Sequence, residues 1–158
     1  MDKAITTALL IIAGVVCMIL VFNSVYPMVN SSSQAMVSMA QQVDERMKSR
    51  INIVHAASST DRTSVYIWVK NIGTQRITGI DDCDLFFGQE TDFERVPYAD
   101  DAEGAYPQWE YELENNTEWR TSATLKITIT YTSDPGSGTY YVKFILPNGV
   151  ADEYYLSM

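Results

Sequence analysis

Few residues in this 158-residue chain carry groups able to do chemistry, and their types and positions limit what that chemistry could be. His55 is the single histidine, set between Val54 and Ala56. One histidine excludes a multi-histidine zinc site and leaves little for a Ser-His-Asp arrangement. A histidine packed in the core or at its rim is the expected role. Of the two cysteines, Cys17 lies in the middle of an apolar run and Cys83 in an acidic stretch. If the apolar run spans a bilayer, the two sulfurs cannot come within disulfide distance, and no internal disulfide is expected. Carboxylates are the remaining resource. Residues 98–106 (Tyr-Ala-Asp-Asp-Ala-Glu-Gly-Ala-Tyr) and the trio Asp81, Asp82 and Asp84 offer oxygens that could hold Ca²⁺. Neither group follows EF-hand spacing, and a solvated acidic loop is the expectation for both. The sequence contains no Gly-rich phosphate loop, paired-cysteine metal motif or nucleophile elbow. The residues therefore predict no catalytic, cofactor-binding or metal site, and no enzyme.

Charge restricts the partners. The formal net charge is −9, and it is unevenly placed. Residues 81–118 hold thirteen acids against Arg95 alone, which leaves −12 there and +3 on the rest of the chain. Such a surface repels phosphates, so nucleic acid is excluded as a partner. It suits cations, a basic partner or plain solubility, the last being the simplest reading.

The elements that position these groups begin with a membrane segment. Residues 4–22 are nineteen residues without a charge, and Thr6 and Thr7 are their only hydroxyls. At about 1.5 Å per residue they span roughly 28 Å, close to the hydrocarbon thickness of a bilayer. A removable signal peptide has a shorter apolar core and ends in a small-residue cleavage site. Here Asn23, Ser24, Val25, Tyr26 and Pro27 follow instead, which favours a retained anchor over residues 1–27. Lys3 precedes the run and no Lys or Arg follows until Arg46. The N-terminus should therefore stay inside and the remainder emerge outside, with Tyr26 at the outer interface. Residues 28–49 read as a helical stalk: Met36, Met39, Ala40, Val43 and Met47 share one face, opposite Gln41, Gln42, Asp44, Glu45 and Lys48. That face is either a spacer lying on the next domain or a seam for self-association. Pro27 is expected to kink the helix rather than end it.

From residue 50 the period changes to two, and residues 50–158 read as one β domain. Ile51, Ile53 and His55 alternate with Asn52 and Val54. Val65, Ile67 and Val69 alternate with Tyr66, Trp68 and Lys70. Leu125, Ile127, Ile129 and Tyr131 form a third set, and Tyr140, Val142, Phe144 and Leu146 a fourth. Residues 82–87, 92–97, 109–114 and 153–157 complete about eight strands, separated by turns such as Pro147, Asn148 and Gly149. Many short strands with no helix between them predict an immunoglobulin-like antiparallel β-sandwich behind the N-terminal helix. Its aromatics, among them Trp68, Trp109, Trp119 and most of the chain's ten tyrosines, can give rigidity and contact area, and most of them are expected to pack the core. Asn30 and Asn115 head Asn-x-Ser/Thr acceptor triplets for glycans if the domain is exported.

The run from Val65 through Lys70, Asn71, Ile72 and Gly73 to Ile77 resembles a segment of the archaellum accessory proteins FlaG and FlaF, in which a strand ends in a V-K-N-x-G turn. Residues 80–88 (Ile-Asp-Asp-Cys-Asp-Leu-Phe-Phe-Gly) are similar to their following D-L-F-x-G strand. Glu118, Trp119 and Arg120, then Thr124 to Ile129, then Gly149 in the last hairpin resemble FlaG more than FlaF. This resemblance implies a structural, non-enzymatic archaellum motor component, anchoring the stator between cytoplasmic membrane and surface layer. Its implied partners are a FlaF-like sister protein, the surface-layer protein, or both, with self-association possible and no cofactor. The rival reading is an archaellin- or pilin-like filament subunit, since Lys3 and Ala4 ahead of an apolar run are similar to a short class III signal. Archaellins are usually cut after a glycine preceded by several basic residues, whereas this N-terminus is only Met-Asp-Lys.

Overall fold

The computed structural model describes residues 2–158, which form two compact units, the first ending at Val43 and the second running from Asp44 to Met158. One α-helix, α1 (Asp2–Lys48), spans 47 residues, about 70 Å of helix. It passes through Pro27 without interruption. Its N-terminal part is long and apolar enough to cross a membrane. The hydroxyls along it bond back to helix carbonyls, Thr6 to Asp2 and Thr7 to Lys3 at 2.7 Å each and Ser24 to Leu20 at 2.9 Å. Groups that hydrocarbon would leave unpaired are thereby satisfied. Met36, Met39 and Val43 are exposed.

The second unit is an immunoglobulin-like β-sandwich of eight antiparallel strands: β1 (Ile51–Ser58), β2 (Ser64–Asn71), β3 (Asp84–Gln89), β4 (Asp92–Val96), β5 (Gln108–Glu114), β6 (Thr124–Thr130), β7 (Thr139–Ile145) and β8 (Ala151–Ser157). One sheet has the order β1-β2-β6-β5 and the other β4-β3-β7-β8. Period-two patterning decides which side chains go inward. Val65, Ile67 and Val69 of β2 lie opposite Ile129, Ile127 and Leu125 of β6, and all six are fully buried. Leu85, Phe87, Val142 and Phe144 face them from the other sheet. Phe144 sits between two buried indoles, 6.0 Å from Trp109 and 6.2 Å from Trp119. Trp119 lies outside the strands, and its Nε1–H donates to the Ala123 carbonyl at 3.2 Å.

One expectation needs correction. A bulge between Ile53 and His55 breaks the alternation of β1, so Ala56 takes the inward place and His55 turns out to solvent. Tyr141 points away from the core yet is buried, because Phe93 and Tyr155 cover it at 4.9 and 5.2 Å. The seam between the end strands β1 and β8 is closed by a side chain: the Ile53 N–H donates to the Asp152 carboxylate at 2.6 Å.

The V-K-N-x-G segment has a specific structural task. Asn71 is fully buried with all its polar atoms engaged. Its Nδ2 donates to the Gln75 carbonyl at 2.9 Å and the Trp119 carbonyl at 3.1 Å, while its Oδ1 accepts from the Gly73 N–H at 2.9 Å. Gly73 lets the end of α1 pass, since a Cβ there would collide with the Lys48 carbonyl and the Arg50 nitrogen. In the space so left, the Ile72 and Gly73 N–H groups donate to Arg50 and the Thr74 N–H to Lys48, at 2.9 to 3.0 Å. The final hairpin grips the same place. Arg46 Nε donates to the Asn148 carbonyl at 2.6 Å, Asn148 Nδ2 donates to Ser49 Oγ at 2.8 Å, and the Arg46 guanidinium lies over Gly149, whose φ is 82°.

Replacing Asn71 removes three hydrogen bonds in the interior and takes from the Gln75 carbonyl the partner it has there, so Asn71→Ala should cost about 3 kcal/mol. Gly73→Ala, which forces backbone apart, should cost about 2 kcal/mol or more. Lys70→Ala, one residue away on the outer face, should stay within about 0.5 kcal/mol. Urea midpoints of the three variants test this; equal, small losses at all three positions would contradict the task assigned to Asn71 and Gly73.

Candidate interaction surfaces

Most of the groups singled out in the sequence lie on the outer faces and end loops of the sandwich. On the β1-β2-β6-β5 sheet, the His55 ring stacks on Trp68 at 5.5 Å, Tyr66 lies 6.2 Å from Trp68, and Lys126 Nζ sits 5.1 Å above the Tyr66 ring. Trp68 is therefore an outer-face residue, as its alternation with Val65, Ile67 and Val69 implied, and its Nε1–H reaches Glu114 at 3.4 Å. These are stacking and cation–π contacts, and His55 has the geometry of a surface packing residue. Beside them Glu110, Glu112 and Glu114 alternate along β5, the last strand of this sheet. A row of like charges on an end strand discourages pairing with a further strand.

The 98–106 loop is rooted by backbone pairing. The Trp109 N–H donates to the Pro97 carbonyl at 3.0 Å and the Ala99 N–H to the Trp109 carbonyl at 2.9 Å. Tyr98 packs 4.9 Å from Trp109 and 5.9 Å from Tyr111, and burial raises the pKa of both phenols. Ala102 is buried beneath the loop, while Asp100, Asp101 and Glu103 face solvent. The aspartates before β3 do not converge either: Asp81 and Asp82 are exposed, and Asp84 pairs with Arg95 at 2.6 Å. Among the described residues no group of three or more His, Cys, Asp or Glu side chains could hold a metal ion. Cys83, between these acids, is buried with its Sγ 3.7 Å from the Gly79 carbonyl. Burial first, and then Asp82, Asp84 and Asp81, push its thiol up to about 12. The thiolate needed for nucleophilic or metal chemistry is thus disfavoured.

One surface was not anticipated. Phe86, Phe93, Tyr141 and Tyr155 meet on the outer face of the β4-β3-β7-β8 sheet. The adjacent pair Tyr140 and Tyr141 was its sequence signal: in a strand two neighbours cannot both face the core.

The fold and surfaces define a chain with an N-terminal apolar helix and an immunoglobulin-like β-sandwich. The sequence pattern of archaeal-type flagellin matches residues 4–156, and the chain belongs to that family. An uncharacterized protein of Archaeoglobus fulgidus is 26% identical over 163 residues, covering 97% of each chain. The archaellum periplasmic stator protein FlaG of Sulfolobus acidocaldarius shares the fold, with a TM-score of 0.60 and 21% identity over 68% of this chain and 99% of that one. The periplasmic stator complex of FlaF and FlaG from the same organism contains a similar chain, with a TM-score of 0.58 and 22% identity over 67% of this chain and 87% of that one.

A thiol-selective reagent at pH 8 should leave Cys83 unmodified in folded Cys17→Ser chain and label it once the chain is unfolded. Because the folded pKa is raised, reactivity should rise only as pH approaches about 12. Rapid labelling of the folded chain at pH 8 would contradict this.

Proposed function

We propose that this chain is a static, non-enzymatic component of an archaellum motor. Residues 1–27 anchor it in the cytoplasmic membrane with the N-terminus inside, residues 28–49 form the stalk, and residues 50–158 stand outside. There they face a FlaF-like sister protein, the surface layer, or both. The observation that carries this reading is the root of the sandwich. The last turn of α1 passes into β1 through hydrogen bonds in which the 72–74 N–H groups donate to the Lys48 and Arg50 carbonyls, Asn148 donates to Ser49, and Arg46 donates to the Asn148 carbonyl. A stator must resist torque, and these bonds tie residues 46–50 firmly into the head that would grip the partner. Shared fold with FlaG supports the same reading.

A filament subunit is the second reading, favoured by the family match over residues 4–156. The two predict different N-termini and different losses. A stator keeps Met1 or Asp2, and its deletion leaves filament protein made but motility lost. A subunit is cut near Lys3 or Ala4, and its deletion removes the filament material. Sequencing the N-terminus of the native protein and comparing motility with filament content in a deletion strain decide between them.

Orientation has its own test. Protease added to intact cells stripped of their surface layer should digest the sandwich; digestion only after lysis would reverse the topology. If the head grips an acidic surface layer, the −12 stretch at 81–118 must be bridged by cations. Co-sedimentation of the chain with isolated surface layer should then fall on adding chelator. Binding indifferent to chelator and to salt would move the contact to an apolar face.

A further inference from the structure

The outer face of the β4-β3-β7-β8 sheet carries two adjacent cross-strand rows. One reads Arg95, Phe86, Lys143, Glu153 from β4 to β8. The other reads Phe93, Gly88, Tyr141, Tyr155 in the same direction. Reversed end for end, each row complements itself. Arg95 falls opposite Glu153 and Phe86 opposite Lys143, while Phe93 falls opposite Tyr155, the two exposed rings that cover the buried Tyr141. Reversal of this kind is what a two-fold axis parallel to the strands, between β3 and β7, does to two sheets laid face to face. We propose that this face is a self-association surface, joining two copies of the chain about such an axis; the inference stands apart from the stator reading.

Charge and shape both support a second copy as the occupant. The protein carries −9 overall, and like-charged chains repel. On this face Arg95 pairs with Asp84 at 2.6 Å and Lys143 with Glu153 at 2.7 Å, so the patch is locally neutral in an acidic protein. Two copies therefore meet here without the repulsion they would suffer across the 81–118 surface. Aromatic rings at the centre with charged pairs beside them have the composition of a protein interface. Phe93 is 44% exposed and Tyr155 54%, while Gly88 leaves the room in which Phe93 lies across the sheet. A sugar platform would need rings lying flat together, whereas these are tilted by 79°, 60° and 52° to one another. Strands of five, six, seven and seven residues, at about 4.8 Å spacing and about 3.4 Å per residue, give roughly 410 Å² in projection per copy. That lies at the small end of specific interfaces, so the pair forms where chains are concentrated, as on a shared membrane.

The test uses the full chain in membranes, in a Cys17→Ser background, with two differently tagged forms expressed together. Phe93→Cys and Tyr155→Cys chains should be joined to each other by a bifunctional thiol reagent whose reach matches the ~10 Å spacing of packed sheets. Neither variant alone should join to itself, because the axis brings 93 against 155 and not against its own kind. Independently, Arg95→Glu or Glu153→Arg should weaken association of the uncut chain about tenfold or more, and the double exchange should restore it. Far-UV circular dichroism of each variant excludes unfolding as the cause. No joining in the mixed sample, joining of each variant to itself, or failure of the double exchange to restore association would each overturn the proposal. A chain that stays monomeric in the membrane would assign the face to a different partner and overturn it equally.

Discussion

The rest of the sandwich depends on a buried amide. Asn71 ends β2 with no exposure, and its one amide bonds three backbone groups: the Gln75 carbonyl, the Trp119 carbonyl, which also accepts from Ile77, and the Gly73 N–H, which also donates to Arg50. An unpaired buried donor or acceptor costs more than an ordinary hydrogen bond contributes. Filling that position with a side chain of the right reach therefore fixes the 71–75 turn, the Trp119 segment and the exit of α1 together. Gly73 completes the arrangement by having no side chain where two backbone strands must nearly touch. The core strands supply most of the stabilisation through apolar burial, but burial is non-directional. Asn71 and Gly73 supply direction.

Much of the fold was legible because its residues obey one rule at a time. Val65, Ile67 and Val69 and their partners on β6 alternate without fault, and the structure pairs them in register. The first half of α1 was legible from its apolar length and the second from the spacing of Met36, Met39, Val43 and Met47. What escaped reading was where two rules meet. His55 continued an inward series by pattern, and only the unpaired residue of a bulge turned it out against Trp68. A bulge leaves no composition signal in β1. The role of Asn71 was visible only as a resemblance of motif, because its three partners lie 2, 4 and 48 residues away. The outer aromatic face was hidden for a similar reason: Phe86, Phe93, Tyr141 and Tyr155 belong to four strands, and only the sheet order brings them together.

The acidic stretch illustrates the opposite case. Its charge was plain in the sequence, but the structure spreads it over the β5 row, the 98–106 loop and the turn before β3. Its carboxylates face water, an arginine (Arg95 for Asp84, Arg76 for Glu118) or the Trp68 indole (Glu114) rather than one another. Density of charge along a chain is thus a poor guide to convergence of charge in space. Here it gives a broad negative surface instead of a pocket, and leaves the neutral outer face of the other sheet as the exception.

The contact between Arg46 and Asn148 joins residues 102 positions apart, and so sets an order of events during synthesis. Ribosomes add about 5 to 20 residues each second. The guanidinium therefore waits on the order of 5 to 20 seconds after its own appearance before its acceptor exists. Over that interval the helix is already made, while the joint beneath the head is open. It closes only when the last hairpin is complete, so a chain truncated anywhere before Asn148 carries its helix but leaves this part of the joint unmade.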